Sequence, residues 1–263
     1  MAEPILKTES LTMRFGGLSA VAEFDLQVQR GQISSLIGPN GAGKTTVFNV
    51  VTGIYRPTAG RIVFQGREIT GCKPHQIVKL GIARTFQNIR LFSNLTCLEN
   101  VLSGQHSRGK SGLVGAVFRT PAQRGEERRL LETAERRLRQ IGLWEYRSEL
   151  AKNIPYGSQR MLEIGRALAC EPQLLILDEP SSGLNTKESE ELMGFIRALI
   201  REEAVTVLLI EHDMNVVMGI SDWVTVMDGG CKIAEGIPAD IYSNPLVIEA
   251  YLGREDEAEE ESS

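Results

Sequence analysis

Residues 33–51 read Ile33-Ser34-Ser35-Leu36-Ile37-Gly38-Pro39-Asn40-Gly41-Ala42-Gly43-Lys44-Thr45-Thr46-Val47-Phe48-Asn49-Val50-Val51. An apolar run, a glycine-rich turn and a second apolar run predict strand, loop and helix in that order. Gly38 to Thr46 fits the spacing G-x-x-x-x-G-K-[ST], and it stands between strand and helix as that spacing requires. The chemistry is anion binding. Glycines let successive backbone N–H groups curl around phosphate oxygens, and the helix N-terminus adds partial positive charge. Lys44 then reaches the β and γ phosphates of a nucleoside triphosphate, and Thr45 is placed to ligate Mg²⁺. Gly38, Pro39, Asn40, Gly41, Ala42, Gly43, Lys44, Thr45 and Thr46 are the candidate nucleotide contacts.

A second stretch, Leu174-Leu175-Ile176-Leu177-Asp178-Glu179, is an apolar strand ending in two carboxylates. At the C-terminal edge of a parallel sheet such carboxylates face the ligand crevice. Asp178 can hold Mg²⁺. Glu179, one residue on, can orient and deprotonate an attacking water.

Around these stretches the pattern alternates. Phe24, Leu26 and Val28 predict a half-buried strand, and further strands are expected at Arg61 to Phe64, Ile82 to Thr85, Val205 to Ile210 and Trp223 to Met227. Helices are expected at Pro74 to Leu80, Gln159 to Ala169, Lys187 to Arg201 and Met214 to Ile220. Two strands apolar on both faces imply a parallel sheet covered on each side. From Asn88 to about Arg160 β-branched runs disappear, and Leu130, Ala134, Leu138 and Ile141 trace one apolar stripe. The expected fold is α/β: a parallel-sheet core with an N-terminal antiparallel β subdomain and an inserted helical subdomain. The expected division is 1–87 with 161–252 for the core, 88–160 for the helical insertion and 253–263 for a disordered acidic tail.

Composition narrows the rest. In 263 residues, 42% apolar and 24% charged with 26 Gly and 10 Pro is globular and neither disordered nor collagen-like. The net charge of −5 arises in the last nine residues, which hold six carboxylates, so the body is close to neutral. A neutral body offers no basic field for nucleic acid or anionic lipid. The arginine cluster Arg124, Arg128, Arg129, Arg136, Arg137 and Arg139 is interleaved with Glu126, Glu127, Glu132 and Glu135, which predicts a solvated face with pairs such as Glu132 and Arg136. No aliphatic stretch approaches the ~20 residues of a membrane span, and the N-terminus lacks a secretory signal, so a cytoplasmic chain is expected. Cys72, Cys97, Cys170 and Cys231 fit no metal or redox spacing and predict isolated reduced thiols. His75 and His106 match no motif.

A set of motifs in fixed order gives the chain, over residues 4 to 253, a resemblance to the ATP-binding subunits of ABC transporters. Besides the two stretches above, Phe15 resembles the aromatic that stacks on adenine and Gln87, in Arg84-Thr85-Phe86-Gln87, resembles the Q-loop glutamine. Ile154-Pro155-Tyr156-Gly157-Ser158-Gln159 resembles the signature loop, Ser181 to Asn185 the D-loop, and His212 the switch histidine. The resemblance implies a RecA-like P-loop NTPase core and hydrolysis of Mg·ATP. It implies Glu179 activating water, His212 bracing the γ phosphate, and Gln87 joining Mg²⁺ or water to the insertion. Pro155, Tyr156, Gly157, Ser158 and Asn185 would meet ATP held by a second ATPase subunit, identical or homologous, in a head-to-tail dimer. Integral membrane permease subunits and, through them, an extracytoplasmic substrate-binding protein complete the implied assembly, which puts the chain on the cytoplasmic face of the membrane. A P-loop kinase would have no use for a signature loop or switch histidine, a soluble nucleic-acid ATPase would show more than one cassette, and an exporter ATPase would differ in partner only.

Two positions depart from the family pattern. Pro155 stands where the signature loop has serine, removing a hydroxyl and a backbone N–H, which predicts weaker hold on the facing ATP. Asn185 replaces the D-loop aspartate. Within the family, the stretches Met13 to Leu18, Thr45 to Asn49, Arg84 to Gln87 with Arg90 to Phe92, Ile210 to Met214, Val217 to Asp222 and Ala250 to Gly253 most resemble the branched-chain amino-acid type.

Overall fold

The computed structural model describes residues 3–105 and 121–251, with the side chains of 121–124 left aside. The predicted acidic tail and His106 lie outside the described residues. Strands β1 (Leu6–Phe15), β2 (Leu18–Val28), β4 (Ala59–Phe64) and β5 (Arg67–Glu68) form an antiparallel sheet in the order β2-β1-β4-β5. A second sheet of six strands runs β10-β9-β3-β8-β7-β6. Its members are β3 (Ile33–Ile37), β6 (Ile82–Arg84), β7 (Leu174–Asp178), β8 (Thr206–Ile210), β9 (Trp223–Asp228) and β10 (Cys231–Gly236). Neighbours from β9 to β6 are parallel, and β10 closes the edge antiparallel to β9.

The helices follow from the same arithmetic. They are α1 (Lys44–Val51), α2 (Pro74–Leu80), α3 (Cys97–Gly104), α4 (Pro121–Gln140), α5 (Tyr156–Leu168), α6 (Thr186–Glu203), α7 (Met214–Ile220) and α8 (Pro238–Tyr242). Successive strand side chains point to opposite faces, and here each face meets its own layer. Leu36, Leu174, Ile176, Leu208 and Ile210 pack with Val47, Phe48, Val50 and Val51 of α1 and with Leu6, Phe24 and Leu26 of the antiparallel sheet. Ile33, Leu175, Leu177, Val207 and Leu209 pack with Ile164 and Leu168 of α5 and Leu192, Ile196 and Leu199 of α6.

The insertion has its own core of Cys97, Val101, Ala134, Leu138, Ile141, Leu143 and Ile154, to which α5 adds Leu162. One helix therefore serves both cores. Burial pushes the Cys97 thiol up to about 11. The arginine cluster departs from the expected solvated face in one place. Arg137 is buried and binds Glu203 of α6 at 2.6 Å, while Arg136 reaches Glu171 at 3.4 Å. Among the described residues no helix is long and apolar enough to cross a membrane.

Candidate functional site

Register across the large sheet aligns the strand ends. Ile210 of β8 faces both Leu36 of β3 and Asp178 of β7, so the chain leaves three adjacent strands in one row. The glycine loop, the pair Asp178-Glu179 and the pair Glu211-His212 emerge side by side at the C-terminal edge. Arg84 on β6 pairs with Ile176, and three residues later Gln87 joins the same edge.

The glycine loop is fitted to its surroundings by backbone. Gly38 has φ 148°, and a Cβ there would lie 1.9 Å from the Met227 carbonyl oxygen, while Gly43 has φ 104° beside the Ala20 carbonyl. No other residue fits either position. Gly43 is the N-cap of α1, with Asn40 and Gly41 exposed and Pro39 and Ala42 buried. Lys44 is buried and its Nζ donates to the carbonyls of Gly38 at 2.6 Å and Pro39 at 2.9 Å. The ammonium is thus anchored on its own loop. Thr45 is exposed and Thr46 half-buried on the first turn of α1.

Glu179 sits in the left-handed region at φ 46°, a conformation that costs a non-glycine residue on the order of 1–3 kcal/mol. Its amide donates to Ile210 O at 2.9 Å, which ties the strained residue to β8. Its Oε2 accepts from Gln87 Nε2 at 2.8 Å and lies 3.6 Å from His212 Nδ1. The carboxylate, the glutamine and the histidine read from the sequence therefore meet at one atom. His212 is 58% exposed at its side chain and free to face an incoming group.

Asp178 is buried, and its Oδ2 binds Arg84 Nη2 at 2.7 Å. The Arg84 guanidinium also donates to Asn49 Oδ1 at 2.7 Å and Thr52 Oγ1 at 3.2 Å, and it lies over the rings of Phe48 and Phe86. The signature residues gather elsewhere, at the N-terminus of α5 with the D-loop. Pro155 is the N-cap of α5, which has no side-chain cap, and the Tyr156 hydroxyl donates to Ser182 O at 3.3 Å. Gly157 and Ser158 are half-buried in the first turn. Asn185 caps α6: its Oδ1 accepts from Glu188 N at 3.0 Å, and Glu188 returns the bond to the Asn185 amide. That use of the side chain, helix capping, adds a structural task the sequence reading did not assign it. Phe15 is 42% exposed at the end of β1, its ring edge-on to Tyr55 at 5.3 Å.

The family model described as ABC transporter matches residues 21–182, more than half of the chain, and a model described as branched-chain amino acid ATP-binding cassette transporter matches residues 231–257. The chain belongs to the ABC transporter family. It is 49% identical over 253 residues to the high-affinity branched-chain amino acid transport ATP-binding protein BraF of Pseudomonas aeruginosa, covering 96% of this chain and 99% of the relative. It is 47% identical, over the same shares, to the LivG protein of that description from Escherichia coli K12. Among solved structures, a nucleotide-free ATP-binding cassette from an ABC transporter superposes with a TM-score of 0.83 at 32% identity, covering 94% of this chain and 98% of that one. The P-loop NTPase fold expected from the sequence is the fold observed.

Three residues of this ABC cassette escape a sequence reading because their partners lie far along the chain. Arg84 finds Asp178. Arg160, with no exposed surface, donates from Nη1 to Phe86 O and from Nη2 to Gln87 O, both at 2.9 Å, and pairs with Glu163 at 3.2 Å. Burial raises the Glu163 carboxyl, against the Arg90 amide and the cations Arg160 and Arg166. Glu211, wholly buried, binds Ser181. The signal the sequence carries is a charged pair, Arg160 and Glu163, on the helical stripe that also holds Ile164, Ala167 and Leu168.

Proposed function

We propose that this chain is the ATP-binding and ATP-hydrolysing subunit of an importer for branched-chain amino acids. The observation that carries the chemistry is the meeting of Gln87 and His212 on one oxygen of Glu179, in the row of strand ends that also launches the glycine loop. The substrate class rests on the relatives' printed activity and on the similarity of residues 231–257 to the branched-chain cassette model.

The residues act as follows. Loop amides from Gly38 to Thr46, the α1 N-terminus and Lys44 hold the β and γ phosphates. Glu179 takes a proton from the attacking water. Gln87 fixes that carboxylate, and His212 braces the transferring phosphoryl group, so that positioning and charge neutralisation do the catalysis. Phe15 offers its exposed face to adenine. Thr45, Asp178 and Gln87 are oxygen donors of the kind a hard dication takes, with substrate phosphates supplying the remainder. They would hold Mg²⁺, which when bound neutralises phosphate charge. Pro155, Tyr156, Gly157, Ser158 and Asn185 face the nucleotide of a second ATPase subunit in a head-to-tail dimer. Closure of that dimer around two ATP molecules moves the surface beside Gln87, where a membrane permease subunit docks, and an extracytoplasmic binding protein delivers the amino acid to the permease. The chain then works as a peripheral protein on the cytoplasmic face.

Glu179→Gln should retain ATP binding while turnover falls by more than a hundredfold, and retained hydrolysis would remove Glu179 from this role. In the purified transporter complex, leucine, isoleucine or valine should stimulate ATP hydrolysis. Stimulation by an unrelated solute alone would overturn the substrate class.

A further inference from the structure

Beside the cluster of Gln87, Glu179 and His212 lies a carboxylate that the mechanism above does not use. Glu211 follows β8 directly and has no exposed surface. One carboxylate oxygen accepts from the Ser181 amide at 3.0 Å and from the Ser181 hydroxyl. The other accepts from the His212 amide at 3.3 Å and lies 3.9 Å from His212 Nδ1. Among the described residues no lysine or arginine is paired with it. A buried carboxylate without a cation is expensive to keep, and three hydrogen bonds are what offsets its desolvation.

The acceptor count explains the residue type. A carboxylate has two acceptor oxygens and no donor, so it can take N–H groups from two different loops at once. Glutamine in its place must turn an NH₂ toward either Ser181 or His212, and one of the two amides loses its partner. Ser181 lies two residues after Glu179, whose left-handed backbone is fixed by Ile210, the residue before Glu211. Glu211 thus bridges the exit of β7 and the exit of β8, the two chain segments that carry the water-activating carboxylate and the switch histidine.

We propose that Glu211 is a positioning residue for hydrolysis: it locks the start of the 181–185 loop to His212, so that Glu179 and His212 keep a common geometry and a shift in that loop is passed to the histidine. This rests on the reading that Glu179 and His212 act on the γ phosphate. It differs from a structural role in what it predicts for kcat against ATP affinity.

The test uses the full chain, assayed for Mg·ATP binding and steady-state hydrolysis. Glu211→Gln should lower kcat at least tenfold with ATP affinity within twofold of wild type. Ser181→Ala, which removes one hydroxyl bond and leaves the carboxylate and the amide bond intact, should lower kcat two- to fivefold with KM unchanged. Combined, the two changes should cost little more than Glu211→Gln alone, because they break one bridge. An unchanged kcat in either variant, or two effects that simply multiply, overturns the proposal. So does a loss of kcat matched by an equal loss of ATP binding. If Glu211→Gln does not fold, Ser181→Ala alone decides. Glu179→Gln, measured alongside, separates the two readings: if it hydrolyses ATP, the underlying assignment fails and not the bridge.

Discussion

The row of strand ends and the N-terminus of α5 hold their functional groups by different means. At the strand ends the sheet backbone does it. Register alone aligns Leu36, Ile210 and Asp178, and the glycine loop is wedged against the carbonyls of Ala20 and Met227. At α5, which packs into both cores, the link to the Gln87 segment is made by side chains instead. The signature helix is joined to the Gln87 segment by the buried guanidinium of Arg160, which takes the carbonyls of Phe86 and Gln87, and by Glu163, which accepts from the Arg90 amide. The lesson is that the first region rests on backbone register, with side-chain bridges such as Arg84–Asp178 added to it, whereas the second is tied to the Gln87 segment through the buried pair of Arg160 and Glu163.

Breaking that pair should therefore give the largest stability effect. Arg160→Met leaves Glu163 buried with only Arg166 near, at 4.0 Å, and a broken buried pair costs about 3–5 kcal/mol. The pH sense follows from Glu163, whose carboxyl is already raised by burial. A raised folded-state value means the favourable contribution is complete below the ordinary carboxylate range and is lost as pH rises through the folded value. Removing an opposing cation raises that value further. Denaturant unfolding should then show a smaller deficit for Arg160→Met near pH 5 than near pH 8. An equal deficit at both would separate Glu163 from the effect.

At the strand ends the corresponding change should act on ligand more than on fold. Lys44→Ala removes an ammonium bonded to two loop carbonyls, and a hydrogen bond to a charged group contributes about 1.5–3 kcal/mol. ATP affinity should fall roughly tenfold to over a hundredfold. Thermal unfolding without nucleotide should shift far less than for Arg160→Met. A larger shift would mean that the loop depends on its lysine and not on its glycines.

The same contrast decides what the sequence made legible. The strand-end region is local: the spacing from Gly38 to Thr46 and the run from Leu174 to Glu179 each carry their own meaning, and the structure joins them. The α5 region is non-local, since Arg160 and Phe86 are 74 residues apart, and the strand ends share that feature only in Arg84 and Asp178, 94 apart. Strand β1 does not read as a simple alternation because the register shifts between Thr8 and Leu11, where Ser10 has φ 46°, and the parity of buried residues changes between Leu6 and Met13. Arg137 looks solvated in sequence because its partner Glu203 lies on another helix.

A third, smaller effect sharpens the comparison through thiols. Cys97 lies in the insertion core with its thiol pushed up by burial, whereas Cys231 is exposed on the edge strand β10. A maleimide at pH 7.5 should modify Cys231 in minutes and spare Cys97 until denaturant is added. Early labelling of Cys97 would mean that the insertion opens apart from the core.

The smallest effect concerns Pro155. As N-cap of α5 it supplies no side-chain acceptor. Serine there can accept from the first-turn amides, and an N-cap serine contributes about 0.5–2 kcal/mol relative to alanine. Losing proline returns freedom to the unfolded chain, at a cost of about 0.4–1 kcal/mol. The two terms nearly cancel, so Pro155→Ser should leave unfolding almost unchanged. The new hydroxyl and N–H would be available to the nucleotide of a facing subunit, where a net hydrogen bond contributes about 0.5–1.5 kcal/mol. The ATP concentration for half-maximal turnover of the assembled protein should fall roughly two- to tenfold. If it does not move while stability holds, then backbone amides and the helix dipole already supply all that this side of the site requires, and the proline is no handicap.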